Sequence, residues 1–224
     1  MKPPEKKRIA RSEAAIIANQ FLSKLQECDR VSRYEIAGSL RRGEPTCGDI
    51  DIVAAASNLD HALLQIISAV SGIARVKLIE IVPDVGYKLV TNFLREPRIK
   101  SEIWVVAPSH YGPTLNWATG SREHNRALRL WCLLRGFKLP VGNHRFQDSQ
   151  GLWWLNREAF FCYVFKPEPP SDQFASEEDF YNRIQLNWIP PGSRQPGLKV
   201  VLQAHRLWLA HRGASRKESS PHPG

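Results

Sequence analysis

Apolar residues along the first half of the chain follow two spacings, and the change from one to the other predicts the elements. Between residues 12 and 28 they return every three or four positions, as on one face of a helix that Ser12 would cap. The same spacing returns from Asn58 to about residue 71, and Gly72 ends it. Strand-like runs separated by tight turns cover residues 31–37, 50–54, 75–82, 87–94 and 100–106. The sequence therefore predicts an α+β fold with a mixed or antiparallel sheet and two helices.

The helix predicted after Ser121 separates charged from apolar residues. Residues 108–113 interrupt the preceding pattern, and Ser121 has the side chain of an N-cap. One face of this helix carries Arg122, Asn125, Arg126 and Arg129, and the opposite face carries Ala127, Leu128, Trp131 and Leu134. A basic face with an amide suits the minor-groove edge and the phosphates of a duplex. The alternative is an ordinary solvated helix face.

A further amphipathic helix is predicted over residues 198–212. Its apolar face comprises Leu198, Val201, Leu202, His205, Trp208 and Leu209. This face either packs on the preceding part of the chain or docks a protein partner. Residues 214–224 are polar and contain prolines, which is typical of a disordered tail.

Length, charge and cysteine usage narrow the class of protein. The 224 residues are 42% hydrophobic, which is enough to bury a core. The net charge of +9 favours a polyanionic partner such as nucleic acid, although a basic surface also serves solubility. No apolar run is long enough to span a bilayer, and no apolar stretch follows the N-terminus as in a secretion signal. The four cysteines form no C-x-x-C pair, so we expect reduced cysteines in an intracellular protein of the cytoplasm, nucleoid or nucleus.

The segment from Gly38 to Asp51 combines a turn suited to an anion with a pair of acids. Gly38 and Ser39 end a strand-like run, so backbone N–H groups and a hydroxyl can face a phosphate, and Arg42 adds positive charge. Asp49 and Asp51 stand two apart on the next run, so both carboxylates leave one face of a strand. Such acids repel unless a cation lies between them, and Mg²⁺ takes ligands from one or two carboxylates plus substrate phosphates. The alternative is a solvent-exposed turn with incidental acids.

A third acid lies in the last strand-like run of this half of the chain. Glu102 is the sole acid between residues 100 and 106 and is followed by four apolar residues. An isolated carboxylate in such a run must face solvent or a cation.

Gly38-Ser39, Arg42 and the Asp49-Ile50-Asp51 segment, at this spacing, resemble the signature of the nucleotidyltransferase superfamily of polymerase β type. Three further groups of motifs resemble its family X DNA polymerases in the family's order. Arg8-Ile9-Ala10-Arg11 resembles the entry into their palm, and Thr119-Gly120-Ser121 with Asn125, Arg129 and residues 135–139 resembles the start of their thumb. Residues 176–180 and 188–191 resemble the closing segment of that thumb. The resemblance covers about residues 8–197 and sets the chain apart from antibiotic-modifying and RNA-tailing relatives.

The resemblance implies a nucleotidyltransferase palm over residues 1–110 and a small α+β thumb over residues 111–197. The amphipathic helix and tail of residues 198–224 then follow. Nothing ahead of Arg8 resembles the lyase or helix-hairpin-helix regions of larger members. The expected form is therefore a minimal palm plus thumb that binds DNA weakly and acts distributively.

The resemblance also implies roles for individual residues. Asp49 and Asp51 would bind two metal ions, Mg²⁺ or Mn²⁺, and Glu102, which stands where the family usually has Asp, would complete this catalytic site. The nucleoside triphosphate would lie against Arg8, Gly38, Ser39, Arg42, Gly48, Trp117, Gly120 and Asn125, and DNA against Arg122, Arg126 and Arg129. Many members have Tyr-Phe at the position of Trp117-Ala118, where the pair helps to exclude a ribose hydroxyl. We therefore expect a weak preference for deoxynucleotides.

The predicted function is that of a monomeric DNA-directed DNA polymerase. It would transfer nucleotides to the 3′-hydroxyl of primed or gapped DNA by two-metal chemistry with release of pyrophosphate, in short-gap repair synthesis. Three alternatives remain open. A template-independent terminal transferase would extend a single-stranded primer. A nucleotidyltransferase with a non-DNA acceptor would lack salt-sensitive DNA binding. A non-catalytic nucleic-acid-binding module would have no use for intact acids.

Overall fold

The computed structural model describes residues 7–82, 85–134, 145–147, 153–155, 176–194, 199–207 and 209. The strands are β1 (Ile9–Ala10), β2 (Arg33–Ile36), β3 (Thr46–Cys47), β4 (Asp49–Ala55), β5 (Ala74–Val82), β6 (Gly86–Phe93), β7 (Lys100–Val106), β8 (Arg145–Gln147) and β9 (Trp153–Leu155). The helices are α1 (Arg11–Gln26), α2 (Gly38–Arg41), α3 (Leu59–Val70), α4 (Tyr111–Thr119), α5 (Arg122–Leu134), α6 (Glu177–Arg183) and α7 (199–207). Short 3-10 turns occupy Pro108–His110 and Pro191–Ser193. Within these ranges, no helix combines the length and apolar character needed to cross a membrane.

Five strands form the main sheet in the order β2-β4-β7-β6-β5. The central strands β4 and β7 run parallel, and every other neighbouring pair is antiparallel. Parallel neighbours need a long crossover, and here α3, β5 and β6 lie between them in sequence. The predicted α+β class with a mixed sheet is thus confirmed. Two short antiparallel pairs, β1 with β3 and β8 with β9, stand outside this sheet.

One face of the sheet is covered by α1 and α3. Alternation along the central strands directs apolar side chains to this face, including Ile50, Ile52 and Ile103. The helices supply their apolar stripes, with Ile17, Phe21 and Leu25 from α1 and Leu63, Ile66 and Val70 from α3. Each fully buried side chain of this size contributes roughly 1.5–3 kcal/mol of burial free energy. This core holds the central strands in register.

The other face of the sheet, which we call the acid face, bears Asp49 and Asp51 at the start of β4. Farther along the central strands the same face becomes apolar, and α4 packs Tyr111 and Leu115 there. The strand residues that they cover are Val53, Ala55, Trp104 and Val106. Helix α4 therefore covers the far half of the acid face and not the half that bears the aspartates.

Helices α5, α6 and α7 share a second core. Leu128 and Trp131 of α5 pack with Phe180 and Ile184 of α6, and the Trp131 indole donates to the Ile184 carbonyl at 2.8 Å. Val201 of α7 is buried in the same cluster. The helix predicted over residues 198–212 thus packs on the preceding helices.

The predicted apolar face of α7 needs a correction. Val201 and Ala204 are the buried positions, whereas Leu202 and Leu209 are 44% and 52% exposed. The half-buried His205 ring packs against Trp131, with 4.5 Å between the ring centroids. Leu198, Trp208 and residues 210–224 lie outside the described side chains.

Side-chain caps begin α3 and α5 but not α1. The predicted cap Ser12 is wrong, since α1 begins at Arg11 and its N-cap position, Ala10, makes no side-chain hydrogen bond. Asn58 caps α3 by accepting from the His61 N–H at 3.1 Å, and Ser121 caps α5 by accepting from the His124 N–H at 3.3 Å. The cysteines of residues 28, 47 and 132 are free and buried, as expected, and Cys162 lies outside the described residues.

A buried hydrogen-bonded chain links α4, α5 and α6. The Tyr181 hydroxyl donates to Asn116 Oδ1 at 2.9 Å and lies 2.7 Å from His124 Nε2. Because that hydroxyl proton points to Asn116, the imidazole carries its proton on Nε2 and donates it to Tyr181. Burial, with a smaller effect of the Arg194 charge, lowers the pKa of His124 to about 3. His124 is therefore neutral in the folded protein.

Candidate active site

The two central strands place three carboxylates on the acid face. Asp51 stands opposite Glu102 across β4 and β7, and Asp49 stands opposite Lys100. Because side chains alternate along a strand, all three acids leave the same face. The side chains of Asp49 and Glu102 are 23% and 16% exposed, so both are partly withdrawn from water. The structure thus brings the three predicted acids to one end of one sheet face.

Two lysines hold the carboxylate of Glu102. Lys100 Nζ donates to Glu102 Oε1 and lies 3.7 Å from Asp49 Oδ2, while Lys88 Nζ lies 3.7 Å from Glu102 Oε2. Burial disfavours the Lys100 ammonium, but the hydrogen bond with Glu102 and the charges of the three acids outweigh it. They raise the pKa of Lys100 above its ordinary value. Lys100 is thus a fixed cation that offsets part of the charge of the acids.

The turn that begins α2 lies directly against Asp51. The Ala37 N–H donates to the Asp51 carbonyl at 2.7 Å, which ties the end of β2 to β4. Gly38 follows with φ +61°, a left-handed conformation that side chains disfavour. A β-carbon at Gly38 would lie 2.0 Å from Asp51 Oδ2. The Asp51 carboxylate therefore rests on the bare α-carbon of Gly38, and a larger residue would displace it.

Ser39 and Arg42 bring two hydrogen-bond donors to the same turn. Ser39 Oγ and Arg42 Nε are buried, and neither has a hydrogen-bond partner within the described part of the chain. Arg42 Nη1 donates to the Thr119 carbonyl, and its Nε lies 3.5 Å from Glu44 Oε1. A buried donor without an acceptor costs about 1–3 kcal/mol. Both atoms are suited to donate to the oxygens of a phosphate.

Trp117 at the end of α4, Gly120 after it and Asn125 on α5 are further residues predicted to contact a nucleotide. Asn125 Nδ2 donates to the Trp117 carbonyl at 2.9 Å, while Asn125 Oδ1 is buried without a partner among the described residues. Gly120 has φ +68°, and a β-carbon there would lie 3.3 Å from Arg42 Nη1. The Trp117 ring meets the Trp104 ring edge-on at a centroid distance of 4.9 Å. Gly120 thus lies beside the Arg42 guanidinium, and Asn125 is bonded to the backbone of Trp117.

Arg8 braces the segment that leads into the acid pair. Its guanidinium donates to Thr46 Oγ1 at 2.8 Å and to the Thr46 carbonyl at 2.5 Å. Cys47 and Gly48 are buried immediately before Asp49. Arg8 therefore lies beside the backbone that enters β4, and its contact with a triphosphate stays a prediction.

Two protein-family models match this chain, one after the other along the sequence. The family model described as DNA polymerase beta palm matches residues 8–82, and the one described as DNA polymerase beta thumb matches residues 114–195. Together the two ranges cover more than half of the chain. The chain belongs to the polymerase β-like family X.

This family X chain is similar in sequence to the curated DNA polymerase/3'-5' exonuclease PolX of Bacillus subtilis (strain 168). It is 22% identical over 206 residues, which are 92% of this chain and 32% of the relative. The chain therefore spans about a third of the length of that relative.

Family X relatives generally use divalent metal ions, so the acids of this palm can be tested for fit. The carboxylate oxygens of Asp49 and Asp51 are suitable ligands for Mg²⁺ or Mn²⁺. Across residues 7–82, 85–134 and the shorter described segments, however, no group of three or more His, Cys, Asp and Glu side chains is arranged to hold a metal ion. Lys100 binds Glu102 instead. The aspartate pair therefore fits a metal chemically, and Glu102 would join it only after leaving Lys100.

The family X thumb presents its predicted DNA-facing residues on α5. Arg122 and Arg126 are exposed, and Asn125 and Arg129 are half-buried. Ala127, Leu128 and Trp131 are buried on the other side, as the sequence pattern predicts. The side chain of Leu134 lies outside the described residues.

Sequence reasoning missed an ion-pair network between palm and thumb. Glu177, with a side chain only 3% exposed, accepts from Arg41 Nη1 at 2.8 Å and from Arg194 Nη2 at 2.7 Å. An acid in the first turn of a helix is ordinarily solvated, so its spacing gave no sign of burial. Lys100 was also missed, although its position two residues before Glu102 signals a shared strand face. The network joins α2, which carries Gly38 and Ser39, to α6 of the thumb.

Proposed function

We propose that this family X member is a DNA-directed DNA polymerase that extends a primer 3′-hydroxyl inside the cell, in short-gap repair synthesis. Its palm would lie within residues 1–110 and its thumb within residues 111–197. The observation that carries this proposal is the packing of the Asp51 carboxylate on Gly38, on the face that also bears Asp49 and Glu102. An anion-facing turn and a group of carboxylates in direct contact suit a triphosphate whose charge is balanced by cations.

The turn of α2 would hold the triphosphate. Ser39 Oγ and Arg42 Nε, which form no hydrogen bond with the described residues, would donate to phosphate oxygens, and Arg42 Nε would leave its ion pair with Glu44. The backbone N–H groups that follow Gly38 would add to this cradle, and Arg8 would approach it from the side of β1. Asn125 Oδ1 would accept a hydrogen bond from the base. These contacts position the α-phosphorus for in-line attack, which is the main task of a protein in phosphoryl transfer.

The acids would serve the attacking hydroxyl. The primer 3′-oxygen would form a bond to the α-phosphorus, pyrophosphate would leave, and Glu102, once released by Lys100, would accept the proton of the hydroxyl. A pair of Mg²⁺ or Mn²⁺ ions bound by Asp49, Asp51 and Glu102 would supply Lewis-acid stabilisation of the nucleophile and of the leaving phosphates. Lys100 would keep a positive charge beside the remaining acids throughout.

DNA would contact the exposed side of α5 through Arg122 and Arg126, with Arg129 on the template strand. Arginine side chains on a helix face position a duplex by its phosphates. The relative from Bacillus subtilis carries a name that includes both a polymerase and an exonuclease activity. Our proposal takes up the polymerase activity alone, because both family matches are to polymerase regions.

The test is primer extension on a gapped duplex with each deoxynucleoside triphosphate and Mg²⁺. Wild-type protein should add nucleotides that match the template, and Asp51→Ala should abolish addition while the circular dichroism spectrum stays unchanged. Asp29→Ala removes an exposed acid from the turn after α1, which packs on the other face of the sheet, and should extend like wild type. Retained extension by Asp51→Ala would exclude the assignment. Equal extension of a single-stranded primer would instead favour terminal transfer.

A further inference from the structure

A basic pocket lies at the edge of the sheet, on strands β5 and β6. Its volume is about 220 Å³, and it is lined by Arg75, Lys77, Asn92, Phe93, Leu94 and Arg98. Three of these six side chains are cationic and none is acidic. We call it the edge pocket.

The edge pocket is connected to the acids by a single row of cross-strand neighbours. Asp49 stands opposite Lys100, Lys100 opposite Asn92, and Asn92 opposite Arg75. Adjacent strands are about 4.8 Å apart, so Arg75 stands about 14 Å from Asp49 on the same face of the sheet. The row changes from acidic at β4 to basic at β5, and the residue between Lys100 and Arg75 is an uncharged amide.

Beyond Glu102, the neighbouring row carries no charge. It continues from Glu102 through Val90 to Leu78, which is 48% exposed. A β-bulge between Val76 and Leu78 shifts the register of β5 and leaves Lys77 as the extra residue. Bulges commonly redirect a side chain at a sheet edge. Here Lys77 lines the edge pocket together with Arg75.

Two of the three cations are available for a ligand. Arg98 lies 3.5 Å from Glu96 and is thus partly neutralised. Arg75 and Lys77 are exposed, and within the part of the chain that the structure describes neither forms a hydrogen bond or an ion pair. Two exposed cations beside an amide donor suit the oxygens of phosphate groups.

We infer that the edge pocket binds backbone phosphates of the acceptor strand, behind the 3′ end that the acids receive. This inference rests on the proposed polymerase function and adds a binding site for the primer strand. A strand that runs from the acids along this row brings phosphates a few nucleotides behind its 3′ end beside Arg75 and Lys77. The pocket anchors the strand without reading its bases.

The first test compares the salt dependence of DNA binding. Full-length wild type, Arg75→Ser/Lys77→Ser and the control Lys24→Ser/Arg30→Ser are titrated with a primed duplex at several salt concentrations. The control removes the same charge from α1 and the turn after it, which lie on the other side of the sheet. The edge-pocket variant should lower the slope of log K against log salt by about 1 to 2, because each phosphate contact contributes about 0.9. The control should keep the wild-type slope.

The second test removes one phosphate charge at a time. Primers that carry a single neutral methylphosphonate at the second to the sixth linkage from the 3′ end are bound to wild type and to the edge-pocket variant. Wild type should lose affinity for substitution at one or two of these linkages, and the variant should not. Loss of affinity from substitutions in the template strand alone would overturn the assignment to the acceptor strand. The KM for the nucleotide should be equal in both proteins, since a free triphosphate is not the ligand.

The two proposals fail in distinguishable ways. If wild type extends primers and the edge-pocket variant shows the wild-type salt slope and the wild-type methylphosphonate pattern, the inference is wrong and the polymerase function stands. If wild type neither binds nor extends primed DNA, both are wrong.

Discussion

Replacing Gly38 with alanine tests the central contact of the candidate site. The new β-carbon would lie 2.0 Å from Asp51 Oδ2, whereas real β-carbons keep at least 3.0 Å from other heavy atoms. The carboxylate must therefore move by about 1 Å or the turn must open. The substitution also places a side chain at φ +61°, which costs about 1–2 kcal/mol.

These two effects predict different quantities. The strain lowers the free energy of unfolding by about 1–2 kcal/mol. The displacement of a catalytic group by about 1 Å lowers kcat/KM by roughly 100-fold, or about 2.7 kcal/mol of transition-state stabilisation. We therefore expect Gly38→Ala to remain folded at 25 °C and to lose most of its activity.

Two other glycines separate strain from steric conflict. Gly43 also has a left-handed φ of +80°, but its nearest neighbour would be 3.9 Å from a new β-carbon. Gly72 has nothing within 4 Å of that position. Gly43→Ala should lose about as much stability as Gly38→Ala and keep its activity, and Gly72→Ala should change neither. The assays are single-nucleotide incorporation and urea unfolding. The reasoning is refuted if Gly38→Ala retains activity within a few-fold of wild type, or if Gly43→Ala loses as much.

Four further outcomes are expected. The pKa of His124 is about 3 in the folded protein and about 6.5 in the unfolded chain, so only the unfolded state gains a proton as the pH falls below 6.5. The free energy of unfolding measured in urea should therefore fall by about 2 kcal/mol between pH 7 and pH 5. His124→Gln should reduce this fall. Glu177→Ala strands two buried or half-buried guanidinium groups and should cost about 3–5 kcal/mol by the same method; a cost below about 1 kcal/mol would contradict the network. Trp117-Ala118 predicts discrimination against ribonucleotides of about 100-fold or less in paired incorporation assays, and a preference of several thousandfold would speak against it. Lys100→Met should lower the Mg²⁺ concentration for half-maximal extension, because the ammonium no longer competes for Glu102.

The palm strands could be predicted closely because their boundaries depend on local signals. The runs predicted over residues 75–82, 87–94 and 100–106 differ by at most one residue at each end from β5, β6 and β7. Turn residues and alternation fix such edges within a few positions. The face shared by Asp49 and Asp51 was predictable for the same reason, since the period of two along a strand needs no tertiary information, whereas the position of Glu102 beside them depends on the pairing of β4 with β7.

What could not be predicted depends on partners that are distant in sequence. The binding of Glu102 by Lys88 requires the register between β6 and β7. Burial of Glu177 depends on Arg41 and Arg194, which come from opposite ends of the chain. The buried face of α7 was misjudged because the larger apolar residues Leu202 and Leu209 were weighted above Ala204.

The separation of β4 and β7 in sequence has a consequence for how the protein is made. Asp49 and Asp51 leave the ribosome well before Lys100 and Glu102, since α3, β5 and β6 are translated in between. The parallel pair forms only by long-range closure, which is a slow class of folding event. A nascent or prematurely released chain that ends before residue 100 carries both aspartates and no third acid. Under the proposed function, such a fragment should not extend a DNA primer. Activity would then appear only once synthesis of the palm is nearly complete.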